Sequence, residues 1–357
     1  MTLAEQLNHQ FPTLNFAAAV VLAPFTTVGI GGPAEAFARI RTREDLKTII
    51  QYARTSNTPL TILGWGANTL IADRGLRGIV IRNDSSEITV HDEMPEKIFQ
   101  TPAVTARWSA DATQGTAKYE FSDLDFAERN ATKVWVSMDS GVSLPMAINI
   151  LLSKGITGLQ WYARIPASVG GAIYNNIHGG THFISDVLNS VSVITPTGTE
   201  KNIPVHELEA GYDYSRFHNS GESIISADFL LYRGDVVKAK QVAQEWATRK
   251  KIQPQNSLGC VFQNISAAEQ ARLAVPTPSI GYLIEHVLEL QGYRVGDAVI
   301  STKHAAFIEN VGKATAADYL SCIRTIITTA QKKLGITLKP EIFFLGFTDA
   351  ELTGITK

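Results

Sequence analysis

Cysteine is scarce in this chain of 357 residues; Cys260 and Cys322 are its two thiols. Two cysteines this far apart make neither a disulfide framework nor a closely spaced metal pair, so no metal site is expected. A reducing compartment, the cytoplasm, is the expected location. Long hydrophobic runs are also missing. The most apolar early stretch, FAAAVVLAPF at 16–25, is well short of the roughly 20 residues a membrane-spanning helix needs. Glu5 and His9 precede it instead of a basic cluster, so neither a signal peptide nor membrane insertion is expected. Charge of one sign is not in excess either. The formal net charge is −2 and 18% of residues are charged, which gives no electrostatic reason to expect nucleic acid or an acidic membrane surface as partner. No repeat of fixed period and no low-complexity tract is present.

What the chain does have is apolar residues, 45% of the total. Its length exceeds what one hydrophobic core usually serves, so two or three domains are expected. At 43–55, Leu46, Ile49, Ile50 and Ala53 make one apolar stripe at helical spacing, after a Thr42–Asp45 cap. LTIL at 60–63 and GIVIR at 78–82 read as strands, so the first 82 residues alternate strand and helix. Residues 83–133 are polar and weakly periodic, as an insertion with a short hairpin would be. VWVSM at 134–138 is a strand, and a helix from Leu144 carries Pro145 in its first turn and ends at Gly155. Strands at VSVIT and 223–232, a helix at about 236–251, a helix opened by Thr315 and Asp318 and closed by Gly335, and a last strand at 341–347 complete the pattern.

Five stretches could carry chemistry. LGWGANTL at 63–70 places Gly64 and Gly66 in a turn after a strand, open to close approach by a phosphate, or simply tight. RIPASVGGAIYNN at 164–176 offers unobstructed backbone to a flat ligand, or packs tightly between domains. GCVFQN at 259–264 holds Cys260, a small buried residue or a proton donor. Glu341 follows Lys339 and Pro340 at a strand mouth, and His304 lies before an apolar run. Cys322 sits within a helical apolar pattern and reads as core.

In order and spacing these stretches resemble one family, the UDP-N-acetylenolpyruvoylglucosamine reductases (MurB). FTTVGIGGPAEAF (25–37), LGWGANTLIADRGLRGIVI (63–81), RIPASVGGAIYNNIHG (164–179), GCVFQN, the 279–310 segment ending STKHAAFIEN, and LKPEIFFLG (338–346) each follow a family pattern. The resemblance spans nearly the whole chain except about 1–20 and 83–133. It implies an α+β fold: an FAD-binding fold of the vanillyl-alcohol-oxidase type in two subdomains, plus a C-terminal α+β substrate-binding domain. The corresponding divisions are 1–82 (completed by 341–357), 83–235 and 236–340. It implies FAD and NADPH as cofactors, and a nucleotide sugar, UDP-N-acetylglucosamine enolpyruvate, as the small-molecule substrate. A monomer is expected.

The resemblance also implies roles for residues. Cys260 stands where many members have a proton-donating serine, and a thiol, with a pKa of about 8.5, is the better acid. Glu341 falls on the family's catalytic glutamate. Gly64, Gly66, Ala67, Asn68, Thr69, Gly141, Ile165, Pro166, Ser168, Val169, Gly170, Gly171 and Asn175 fall on flavin-binding segments. Tyr212, Lys251, Asn264 and His304 fall on substrate-pocket positions. One departure matters. Where the family carries an arginine for the substrate carboxylate, AGYDYSRF (210–217) has Asp213. Arg216, from a shifted turn, is the expected catalytic replacement, with Arg164 as the other candidate. A catalytically weak paralogue and a flavin oxidase on the same fold are the competing expectations.

Overall fold

The computed structural model describes residues 1–100, 113–114, 117–118, 126, 128 and 131–356. The stripe at 43–55 forms the helix Arg43–Thr55, with Leu46, Ile49, Ile50 and Ala53 all buried. Thr42 Oγ1 accepts the Asp45 N–H and satisfies one of the donors that every helix start leaves over. This helix returns the chain between two strands of the same direction. Pro33–Ile40 and Leu60–Leu63 both pair parallel with Leu76–Asn83. Ala17–Val21 adds antiparallel at the outer edge, giving a four-stranded sheet.

A second sheet has five strands in the order Glu200–Pro204, Leu188–Ile194, Ser223–Arg233, Thr132–Asp139, Ile88–Val90. All its pairings are antiparallel. The helices Leu144–Ser153 and Val236–Arg249 contribute Leu144, Ile148, Val242 and Trp246 to its buried cluster. Ile194 and Ile225 of this sheet join the cluster under Arg43–Thr55, so that helix packs on both sheets. Arg43 adds a polar tie by reaching Asp139 at the end of a second-sheet strand, at 2.6 and 2.7 Å. Of the polar stretch at 83–133, Ile88–Val90 supplies the edge strand, and Thr113–Gln114 pairs with Ala117–Lys118 as a short hairpin. Most of the rest of that stretch lies outside the described residues.

The third layer is a three-stranded sheet of Arg294–Val295, Ala298–Ile300 and Ile308–Asn310, covered by the helix Ala316–Leu334. Thr315 and Asp318 form a capping box, and Gly335 ends the helix at φ 63°. Cys322 is buried on that helix. Finally the chain returns to its beginning: Phe343–Leu345 pairs parallel with Thr69–Ile71. The construction is α+β throughout. Among the described residues no helix is long and apolar enough to cross a membrane.

Candidate active site

A cavity of about 870 Å³ opens where these layers meet, near the upper end of the range for small-molecule and cofactor sites. Two glycine-bearing segments build one wall. Gly64, at the end of the strand Leu60–Leu63, lies so close to Ser168 that a Cβ there would come within 2.5 Å of Ser168 Oγ. Ser168 in turn caps the short helix Val169–Tyr174 by accepting the Gly171 N–H at 3.2 Å. Gly66 turns the chain at φ 59°, with room for no side chain: an added Cβ would lie 2.4 Å from the Phe25 carbonyl oxygen. Small residues here are therefore demanded by close backbone approach. The result is a smooth cradle along the cavity floor.

The chemistry-bearing side chains line the same cavity. The Val261 N–H donates to the Ala306 carbonyl and the Val261 carbonyl accepts from the Glu341 N–H, both at 2.9 Å. GCVFQN is thus held between two extended neighbours, and Cys260 and Glu341 face one cavity. Asn68 joins the walls: its Nδ2 donates to the Glu341 carbonyl at 3.0 Å. Asp213 and Lys250 line the same space. The Asp213 turn is closed by Gly211 N–H to the Tyr214 carbonyl at 2.9 Å and puts Asp213 at φ 47°. Aspartate tolerates this left-handed conformation better than most residues.

The electrostatics follow from that crowding. Burial, then the adjacent Asp213 carboxyl, hold Glu341 well above the carboxylate range. Burial pushes Asp213 up to about 6, while a hydrogen bond from Glu341 and the Lys339 charge work in the other direction. The pair therefore holds a proton more tightly than isolated carboxyls do, and the contact raises Glu341 while it lowers Asp213. Glu341 Oε2 is buried, with no hydrogen-bond donor in reach. Burial and the two carboxyls raise the Cys260 thiol, and Lys250 opposes them. Burial lowers Lys250 to about 8. At neutral pH the thiol keeps its proton and the ammonium its charge.

Known proteins match this chain over nearly its whole length. Residues 252–345 match the C-terminal domain model of UDP-N-acetylenolpyruvoylglucosamine reductase, and residues 122–203 match an FAD binding domain model. A UDP-N-acetylenolpyruvoylglucosamine reductase of Listeria welshimeri is 30% identical over 344 residues, 95% of this chain and 98% of its own. One from Chlamydia felis is 31% identical over 326 residues, covering 90% and 92% of the two chains. The crystal structure of UDP-N-acetylenolpyruvylglucosamine reductase (MurB) from Thermus caldophilus superposes with a TM-score of 0.66 at 27% identity, over 93% of this chain and 99% of that one. The chain belongs to the UDP-N-acetylenolpyruvoylglucosamine reductase family. Its fold is the family's: an FAD-binding part joined to the MurB C-terminal domain.

Most of the residues matched to MurB flavin segments do line the cavity, from Gly64 to Thr69 and from Ile165 to Asn175. Gly141 and Val169 do not. Gly141 packs on Ser85 and Asn83, and Val169 is buried in the second core. Of the residues matched to substrate or catalysis, Cys260 and Glu341 are brought together, and Arg216 is not. The Arg216 guanidinium grips Glu222 at 3.0 and 3.2 Å and donates to the Glu207 carbonyl at 3.2 Å. Asn264 accepts the Ile280 N–H at 3.0 Å, and His304 Nδ1 the Ala306 N–H at 3.3 Å, both away from the cavity wall. The Tyr212 ring lies tilted against His178, with centroids 5.1 Å apart, also outside the lining. Arg164 lines the cavity from an exposed position.

Lys251 is exposed, and its neighbour Lys250 takes the inward place instead. The signal for this was present in the sequence. Ala239, Val242 and Trp246 are the buried stripe of the preceding helix, and Lys250 continues it four residues on, with its Nζ 5.6 Å from the Trp246 ring centroid. Replacing Lys250 with methionine is expected to lower kcat/KM for the nucleotide-sugar half-reaction by about a hundredfold. Lys251→Met is expected to stay within about twofold, as surface changes do. Steady-state NADPH consumption measures both, and equal losses would remove the distinction between the two lysines.

Proposed function

We propose that this chain reduces UDP-N-acetylglucosamine enolpyruvate to UDP-N-acetylmuramate with NADPH, through bound FAD, as a step in making peptidoglycan precursors. The convergence of Cys260 and Glu341 on the cavity that the glycine cradle opens carries this reading. The cradle fits a flat, phosphorylated cofactor, because Gly64, Gly66, Ser168, Gly170 and Gly171 line the cavity with backbone and small side chains that a ligand can approach closely. The segments 64–69 and 165–175 would hold FAD. When bound, FAD supplies the hydride it has received from NADPH.

The chain's own residues do the rest. Hydride addition to the substrate's double bond drives negative charge toward its carboxylate, and a proton must then reach the neighbouring carbon. Cys260, protonated at neutral pH, donates it. Lys250 faces the thiolate left behind and lowers the cost of its charge, since the two groups favour each other's ionised forms. Arg164 lies on the lining with the flavin segments and is available to anionic groups of a ligand. Leu258 and Phe307 add apolar wall that excludes water. The cytoplasm is the proposed location and a monomer the proposed state.

The test is spectroscopic. The purified protein should be yellow, NADPH should bleach it, and the enolpyruvyl nucleotide sugar should restore the absorbance without oxygen. Flavin that stays reduced on adding that substrate rules the activity out. Asp213 favours a second reading, a protein that binds the nucleotide sugar and turns it over weakly. Under that reading Asp213→Arg would raise the reoxidation rate sharply.

A further inference from the structure

Asp213 occupies a place where positive charge was expected, yet it is neither exposed nor turned away. It lines the cavity beside Cys260 and Lys250, in hydrogen-bonding contact with the Glu341 side chain. Two half-buried carboxyls this close cannot both carry charge cheaply; one proton between them removes the repulsion. No other protein donor reaches Glu341 Oε2, which is buried. The backbone link through Val261 sets Glu341 next to the segment that carries the thiol. A held proton, a proton-donating sulfur and a cation are thus in one enclosure.

We propose that Asp213 and Glu341 hold a single proton between them and return it to the Cys260 sulfur after that thiol has protonated substrate. The inference rests on the reductase reading above. In the substrate step the Cys260 S–H bond breaks and a C–H bond forms at the carbon next to the carboxylate, leaving a thiolate opposite Lys250. In the return step the proton leaves Glu341 and the S–H bond re-forms. The pair then carries two negative charges and takes a proton from solvent. The hydride and its electron pair come from the reduced flavin, so no further oxidant or reductant is needed. Asp213 touches no reacting atom here. It is a positioning residue whose charge keeps the proton on Glu341.

The groups that face the pair agree with this. Lys339 acts on Asp213, Lys250 acts on Cys260, and both carboxyls act on the thiol. Burial and Lys250 depress His178 to about 4, and burial and Lys339 lower His218, although a hydrogen bond to the Tyr174 backbone works against the fall in His218. Neither ring competes as a proton source near neutral pH. Removing the Asp213 charge should let Glu341 ionise at lower pH, because that charge is one of the causes raising it.

The test compares wild type with Asp213→Asn as flavin-loaded enzymes, with visible absorbance reporting that each variant folds and binds flavin. Stopped-flow reoxidation of the reduced enzyme gives the first turnover, and NADPH consumption gives the steady state. The steady-state rate of Asp213→Asn should fall about tenfold further than its first-turnover rate. A small carboxylic acid or imidazole buffer should restore the difference. The infrared band of a neutral carboxyl should be present in resting wild-type enzyme at neutral pH, absent in Glu341→Gln, and titrate away at lower pH in Asp213→Asn. Equal loss in both rates, no buffer rescue, or no neutral-carboxyl band in wild type overturns the shared proton; so does an Asp213→Arg variant faster than wild type. If wild-type flavin is not reoxidised by the enolpyruvyl substrate, the reductase reading has failed, and the infrared arm still decides the pair.

Discussion

Replacing Cys260 with alanine is expected to slow reoxidation of the reduced flavin by the enolpyruvyl nucleotide sugar by about 10²–10⁴-fold, the usual worth of a positioned proton donor. Reduction of the flavin by NADPH should continue at close to the wild-type rate, because that half-reaction asks nothing of the thiol. Anaerobic stopped-flow absorbance separates the two. Cys260→Ser keeps a donor at the same place, and a loss within about tenfold is expected. The thiol's geometry makes the split informative. Cys260 is held by its bridge to Phe307 and is only half-buried, so alanine leaves little cavity behind. Equal slowing of both half-reactions would make Cys260 a packing residue.

The second large effect is expected at Gly66. An alanine there must adopt φ near 59° and place its methyl 2.4 Å from the Phe25 carbonyl oxygen. The left-handed conformation alone costs about 1–2 kcal/mol, and the overlap is with backbone, which cannot rotate away. Gly66→Ala should emerge from purification nearly colourless, with a lowered melting temperature that added FAD restores little. Gly64→Ala is a useful contrast. Its methyl meets the Ser168 hydroxyl at 2.5 Å, a group that can turn aside. It should fold with a loss of only about 1 kcal/mol, the usual worth of a serine cap, and bind flavin less tightly, because the turned hydroxyl no longer caps the helix at Val169. Flavin-to-protein absorbance ratios and thermal melts measure both variants, and a fully yellow Gly66→Ala would refute the cradle.

Periodicity explains what the sequence made readable. Leu46, Ile49, Ile50 and Ala53 repeat at helical spacing, and all four are buried. The Thr315–Asp318 box and Gly335 bound their helix as local chemistry requires. The site was legible where a motif fixes backbone, as around Gly64 and Cys260. It was not legible where one turn decides which side chain enters. The Gly211–Tyr214 turn delivers Asp213 to the cavity and leaves Arg216 to Glu222, a partner six residues on. Counting along the chain cannot tell those outcomes apart, since both follow from a single left-handed residue. Lys250 and Lys251 differ only in helical phase at a helix end, where the last turn tightens to 250–252. Asp213, read by charge alone, stood as a defect; its contact with Glu341 could be seen only in three dimensions.

The parallel pairing of Phe343–Leu345 with Thr69–Ile71, and the grip of Asn68 on the Glu341 backbone, have a bearing on biosynthesis. A ribosome must translate past residue 345 before the segment beside the cradle can dock. Nascent chains stalled short of residue 341 should therefore capture flavin poorly, however well their earlier layers have folded. Cofactor loading is in this way tied to synthesis of the 341–345 segment, and products truncated before it are kept from becoming hydride donors without their acid.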